Sequence, residues 1–141
     1  MSATALSALA RTSEPNTALR RFLALDTAVT GVNGLAYLAA SGPLADLLGV
    51  GRPLLLELGA FLTAYAIAVG LLASRTRPAA LPVKAVIEAN LAWSAVSFVA
   101  LGLWLDPSTA GTVWTVLQAL TVIGFALLQH TALRSRQGMS E

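Results

Sequence analysis

Four apolar runs, at about 20–41, 53–74, 83–104 and 109–131, leave this chain little choice of fold. Each is about 20 residues long, the length a helix needs to cross a hydrocarbon core about 30 Å thick. Inside hydrocarbon every backbone N–H and C=O must find a partner within its own segment, so a spanning run of this kind becomes a helix. Four such helices joined by short loops predict an all-α, polytopic membrane protein. Its architecture would be an antiparallel four-helix transmembrane bundle forming a single domain over residues 1–141. Charged residues make up only 11% of the chain, against about 25% in ordinary soluble domains.

The segment boundaries carry recognisable signals. Residues 1–19 lack the basic start and long apolar run of a secretory leader, and predict a loose tail with at most a brief surface helix. The first connection reads SGPLADLLGVGRP. There Ser41 is placed to cap a short helix with Pro43 in its first turn, and Leu44, Leu47 and Leu48 share one face suited to the membrane interface. Gly49 and Gly51 would end that helix, and Pro53 would open the second long one. Arg75, Arg77 and Pro78 close the second run, Asp106-Pro107-Ser108 turn the chain into the fourth, and residues 132–141 form a polar tail.

The basic residues set an orientation. Arg11, Arg20, Arg21, Arg75, Arg77, Lys84, Arg134 and Arg136 fall at one end of the predicted bundle and Arg52 alone at the other. The positive-inside rule then places both termini in the cytoplasm of a multi-pass protein of the inner, or plasma, membrane. Trp104 and Trp114 would mark the outer interface.

Polar residues inside the apolar runs are the candidates for function, because each must face protein or water in place of acyl chains. Asp26, Thr30, Asn33 and Tyr37 recur at helical spacing and share one face of the first helix. The third helix offers Asn90, Ser94 and Ser97, with Trp93 beside them. The fourth offers Gln118, Thr121 and Gln129, and the second offers Glu57 and Tyr65. Converging faces would make a polar seam through the bundle, with Asp26, Asn33, Glu57, Asn90, Gln118, Tyr65 and Trp93 as ligand-binding or proton-relay candidates. Intramembrane carboxylates are rare and costly, about 2.5 kcal/mol or more at the bilayer centre, which singles out Asp26 and Glu57. The competing reading makes the same side chains interhelical glue, at about 0.6 kcal/mol per hydrogen bond. Asp26 has Arg75 or Arg77 as its expected partner, whereas Glu57 has only Arg52 on its side, so Glu57 draws the sharper suspicion. Small residues four apart, Thr30/Gly34 and Ala66/Gly70 among them, would let helices approach closely.

Offsets of 64 and 61 bring Asp26 onto Asn90, Thr30 onto Ser94, Asn33 onto Ser97 and Glu57 onto Gln118. Two repeated helical hairpins would account for these matches.

The chain has no cysteine and one histidine, His130, at the end of the fourth run. Disulfides, thiolate metal sites, bis-histidine haem ligation and a Ser-His-Asp triad are thereby excluded. Phosphate loops, nucleophile elbows and HExxH are missing too, which weighs against a self-contained enzyme, and no cofactor is expected. Scattered arginines without interleaved aromatics give nucleic acid no footprint. The partners expected are the lipid bilayer, a small molecule or lipid in the seam, and a membrane protein or second copy of the chain. A non-catalytic accessory or structural subunit of a larger membrane complex is the alternative role.

Gly42-Pro43 with Leu47-Leu48-Gly49, Glu57 at the start of the second helix, and Asn90-Leu91-Ala92-Trp93 followed by Ser97 are the residues that carry a resemblance. Over about 20–131 the chain resembles small four-helix bacterial integral membrane proteins of uncharacterised function, loosely DoxX-like in size and layout. The resemblance implies the four-helix architecture and, less directly, a quinone-associated redox component. No motif in the chain carries the redox chemistry.

Overall fold

A computed structural model describes residues 3–103 and 106–140, with side chains described over 16–103 and 106–136. Trp104, expected at the outer interface, lies outside the described residues. The elements are α1 (Ala3–Ala39), α2 (Ser41–Leu48), α3 (Arg52–Ala73), α4 (Ala80–Leu103) and α5 (Thr109–Ser140). The protein is an all-α four-helix bundle with the short α2 laid across one end. Stretches of α1, α3, α4 and α5 (Asn16–Ala39, Arg52–Ala73, Ala80–Leu103 and Thr109–Arg136) are long and apolar enough to cross a membrane.

Two helices outrun their expected ends. The α1 backbone continues outward through the stretch expected as a loose tail, and α5 continues past residue 131. The α5 extension holds Ala132, Leu133, Arg134, Arg136 and Gln137, all good helix formers, so the established helix propagates into it. The α1 extension passes Pro15, whose unfavourable helix propensity nothing here explains. The α2 cap also differs. Ala40 is the capping residue, and Ser41 lies inside the helix. Its hydroxyl accepts a hydrogen bond from Arg52 Nε at 3.0 Å, which ties α2 to the start of α3. Gly49 ends α2 with φ +69° and donates its N–H to the Ala45 carbonyl at 2.9 Å, the left-handed terminus that glycine adopts without a Cβ penalty.

The bundle is apolar outside as well as inside: its core clusters hold Leu19, Leu23, Val69, Val83 and Leu55 among others. Asp26, Thr30, Asn90, Ser94 and Gln129 are buried, while Val32 is 68% exposed, Ile67 61% and Leu127 59%. Such an apolar exterior on all sides belongs in lipid.

Helix pairing is uneven. α1 packs along α3 and α4 along α5, α1 and α5 join these pairs, and α3 barely approaches α4. The α1–α3 crossing is set by small residues. A Cβ on Gly34 would lie 2.6 Å from Thr63 Oγ1 and 2.8 Å from the Thr63 nitrogen, so only glycine permits this approach. Gly31 faces Ala66 and Gly70 faces Thr27 on the same antiparallel register. Two equivalent hairpins would make the α1–α5 and α3–α4 faces alike; one is packed and the other is spread.

Both ends are stitched. Ser108 caps α5 by accepting from the Gly111 N–H at 3.1 Å, and it donates its hydroxyl to Leu47 O at 2.7 Å and its N–H to Leu48 O at 3.2 Å. At the other, basic end Arg20 Nε donates to Ala73 O at 3.1 Å, satisfying a carbonyl at the end of α3. Arg136, on α5, donates to Pro78 O and to Asn16 Oδ1.

Candidate functional site

The polar stripe of α1 faces the bundle axis and makes two layers of contacts. In the lower layer, nearer the basic end, Asp26 is completely buried. Its Oδ1 accepts from Thr30 Oγ1 at 3.0 Å, and its Oδ2 accepts from Asn90 Nδ2 and Gln129 Nε2, each at 2.9 Å. Asn90 Nδ2 also reaches Gln129 Oε1 at 3.2 Å. Tyr65 closes the set by donating its hydroxyl to Asn90 Oδ1 at 3.0 Å. One carboxylate thus gathers side chains from all four long helices.

The expected pairing of Asp26 with Arg75 or Arg77 does not form. Both arginines lie exposed in the loop after α3, beyond the end of the bundle, while Asp26 faces its axis. Amide and hydroxyl donors stabilise the carboxylate in place of a cation. With Asp26 fully buried, these donors satisfy its oxygens from within the protein.

In the upper layer Tyr37 Oη accepts from Trp114 Nε1 at 2.8 Å and from Gln118 Nε2 at 3.0 Å, joining α1 to α5. Ser94 donates to Ala119 O at 3.1 Å and joins α4 to α5.

Between the layers lies a cavity of about 440 Å³. Asn33, Tyr65, Asn90, Trp93 and Gln118 all line it, together with Thr30, Phe61 and Trp114. Every polar group in this wall is uncharged. A second cavity of about 220 Å³, toward α2, shares Trp93, Val96, Trp114 and Gln118 with the first. The larger cavity occupies the region where α3 and α4 stand apart. Phe61 stacks there on Trp93, with centroids 5.8 Å apart and planes 7° apart, and on Tyr65 at 6.2 Å. The Phe61–Trp93 stack and the Tyr65–Asn90 hydrogen bond join α3 to α4 across the space that the helix backbones leave.

Five of the seven expected site residues therefore line one cavity, and Asp26 sits behind its wall. Glu57 is left out. It is exposed, lines neither cavity and makes no polar contact among the described residues. The core face of α3 runs through Leu55, Gly59, Leu62 and Ala66. Glu57 follows Leu55 by two residues, about 200° around the helix, so it faces outward.

Gln129, one of the polar residues that the fourth helix offers, lies three turns beyond Gln118 on nearly the same face, but nothing in the sequence ties it to Asp26. Phe61 gave no signal beyond an aromatic one turn before Tyr65. No protein-family model, curated protein or solved structure matches the chain.

Proposed function

We propose that this is an integral membrane protein that binds a small, membrane-soluble molecule in the cavity between its four long helices. The observation that carries the reading is the cavity itself. Its volume falls within the range of small-molecule sites, about 300–1,000 Å³, and apolar and aromatic walls with a few convergent polar groups are the usual lining of such sites. A dry seam of interhelical glue has no need of such a space. The spread between α3 and α4 gives a lipid-dissolved molecule a lateral way in. The basic end, with Arg20, Arg21, Arg75, Arg77 and Lys84, sits in the cytoplasm of the plasma membrane on this reading.

Within this proposal Asp26 has a structural part, since the donors around it are already engaged with one another and with it. Ligand recognition falls to the wall residues.

Filling the cavity tests the proposal. Ala92 on α4 lines it and Ala92→Phe places a ring in the space. Wild-type protein in mild detergent should bind an apolar fluorophore such as N-phenylnaphthylamine saturably. Ala92→Phe should lower that affinity about tenfold or more while thermal unfolding stays within a few degrees of wild type. Unsaturable partitioning, or equal affinity in both proteins, would remove the cavity as a binding site.

A further inference from the structure

Resting on the cavity as a binding site, we propose that its occupant is an uncharged amphiphile with a hydroxyl or carbonyl head. The head docks between Asn33 of α1 and Gln118 of α5, and the apolar body lies against Phe61 and Trp93 toward the spread between α3 and α4.

The argument starts from which polar groups in the wall are already engaged. On the inward stripe of α1, Asp26 and Thr30 bond to each other, and Tyr37 accepts from two donors on α5. Asn33 is half-buried, lines the cavity and makes no hydrogen bond within the described residues. Gln118 donates to Tyr37 through its nitrogen, and its Oε1 accepts no hydrogen bond among the described residues. An amide carries two donor hydrogens and an acceptor oxygen, and leaving them unmet away from water costs free energy. Asn33 and Tyr37 are one helical turn apart, about 5–6 Å between Cβ atoms, and Tyr37 holds Gln118 in place. One head group can therefore meet the Asn33 amide and the Gln118 oxygen together.

Charge restricts the choice further. No basic side chain lines either cavity, so an anionic head would be desolvated without a counter-charge. No acidic side chain lines them either, and the Asp26 oxygens are occupied by three donors, so a cationic head finds no partner. A hydroxyl or carbonyl suits the unmet amide capacity and loses little on leaving water. The aromatic wall formed by Phe61 and Trp93 then suits a hydrocarbon body.

Oleyl alcohol and oleate share one chain and differ in head charge, and each can be tested for displacement of the bound fluorophore at alkaline pH. The alcohol is expected to displace it at least about tenfold more effectively than oleate. Asn33→Leu should weaken the alcohol about five- to tenfold, the loss of one hydrogen bond. Asn33 contributes no bond to the fold, so its thermal unfolding should match wild type. Gln118→Leu is the second variant; Tyr37 keeps Trp114 as a donor in it. Oleate displacing as well as the alcohol would overturn the head-group assignment, as would unchanged alcohol affinity in both variants. So would failure of the alcohol to displace a fluorophore that Ala92→Phe excludes; in each of these cases the cavity reading survives. Absence of saturable fluorophore binding removes the cavity reading and this inference with it.

Discussion

Asp26→Leu is expected to destabilise the bundle by about 2–4 kcal/mol, measured by denaturant or thermal unfolding in detergent. The substitution removes the acceptor of three hydrogen bonds and leaves the Asn90 and Gln129 amides without their strongest partner. Interhelical hydrogen bonds in membrane proteins average about 0.6 kcal/mol, with the largest near 1.7. Two of the three bonds, those from Asn90 and Gln129, are interhelical; together they account for about 1–3 kcal/mol. Asn90 and Gln129 keep their bond to each other, so the capacity left unmet adds about 1 kcal/mol and the total falls in the stated range. Asp26→Asn separates charge from hydrogen bonding. Its oxygen can take the place of Oδ2 and keep the donors from Asn90 and Gln129. Its nitrogen would face Thr30 Oγ1, which can accept once its own proton turns toward a carbonyl of the preceding turn. Asp26→Asn should therefore lose no more than about 1 kcal/mol. If Asn were as damaging as Leu, the carboxylate's charge would be essential, and the node would have a part beyond holding helices together.

Gly111→Ala should cost about 3 kcal/mol, although helix propensity alone predicts a gain of about 1 kcal/mol for alanine over glycine. Gly111 lies in the first turn of α5, where the end of α2 rests on it. A Cβ there would overlap the Leu48 carbonyl oxygen and crowd Pro107 Cβ at 2.8 Å. Backbone occupies the space, so no rotamer change relieves the clash. α2 must lift away, weakening the bonds from Ser108 to Leu47 O and Leu48 O that close this end of the bundle. Gly102→Ala in α4 is the control, because a Cβ at that position meets nothing within 4 Å. The same chemical change should therefore be neutral or slightly stabilising at Gly102 and strongly destabilising at Gly111. Thermal unfolding of the two variants side by side decides it; matching effects would mean that the α2–α5 contact carries little of the stability.

Much of the candidate site could be read from the stripe Asp26, Thr30, Asn33 and Tyr37, because helical spacing alone puts these side chains on one face. Asn90 and Gln118 were legible for the same reason. The partners of each were not. Asp26 looked for an arginine, because charge in a sequence suggests charge as its complement, and found two amides and a hydroxyl. Glu57 looked like the lonelier carboxylate and hence the more suspect. Its angular position relative to Leu55 and Gly59 put it outside, but which face of α3 is the core face follows from the fit of Gly59 against Gly34, and no periodicity in this Leu- and Ala-rich helix announces it.

The sequence by itself determined the four long helices, their order, their antiparallel course and the inward polar stripe of α1. These are local consequences, since a helix in hydrocarbon satisfies its own backbone and a residue's face follows from its spacing along one segment. Only the tertiary structure decided that Asp26 meets Asn90 and Gln129, 64 and 103 residues away, that α3 stands apart from α4, and that a cavity remains between them. Those outcomes depend on how close two helices can come. Close approach is governed by the shape of facing side chains, with Gly34 against Gly59 and Thr63 drawing α1 onto α3 while Phe61, Tyr65 and Trp93 hold α3 and α4 apart.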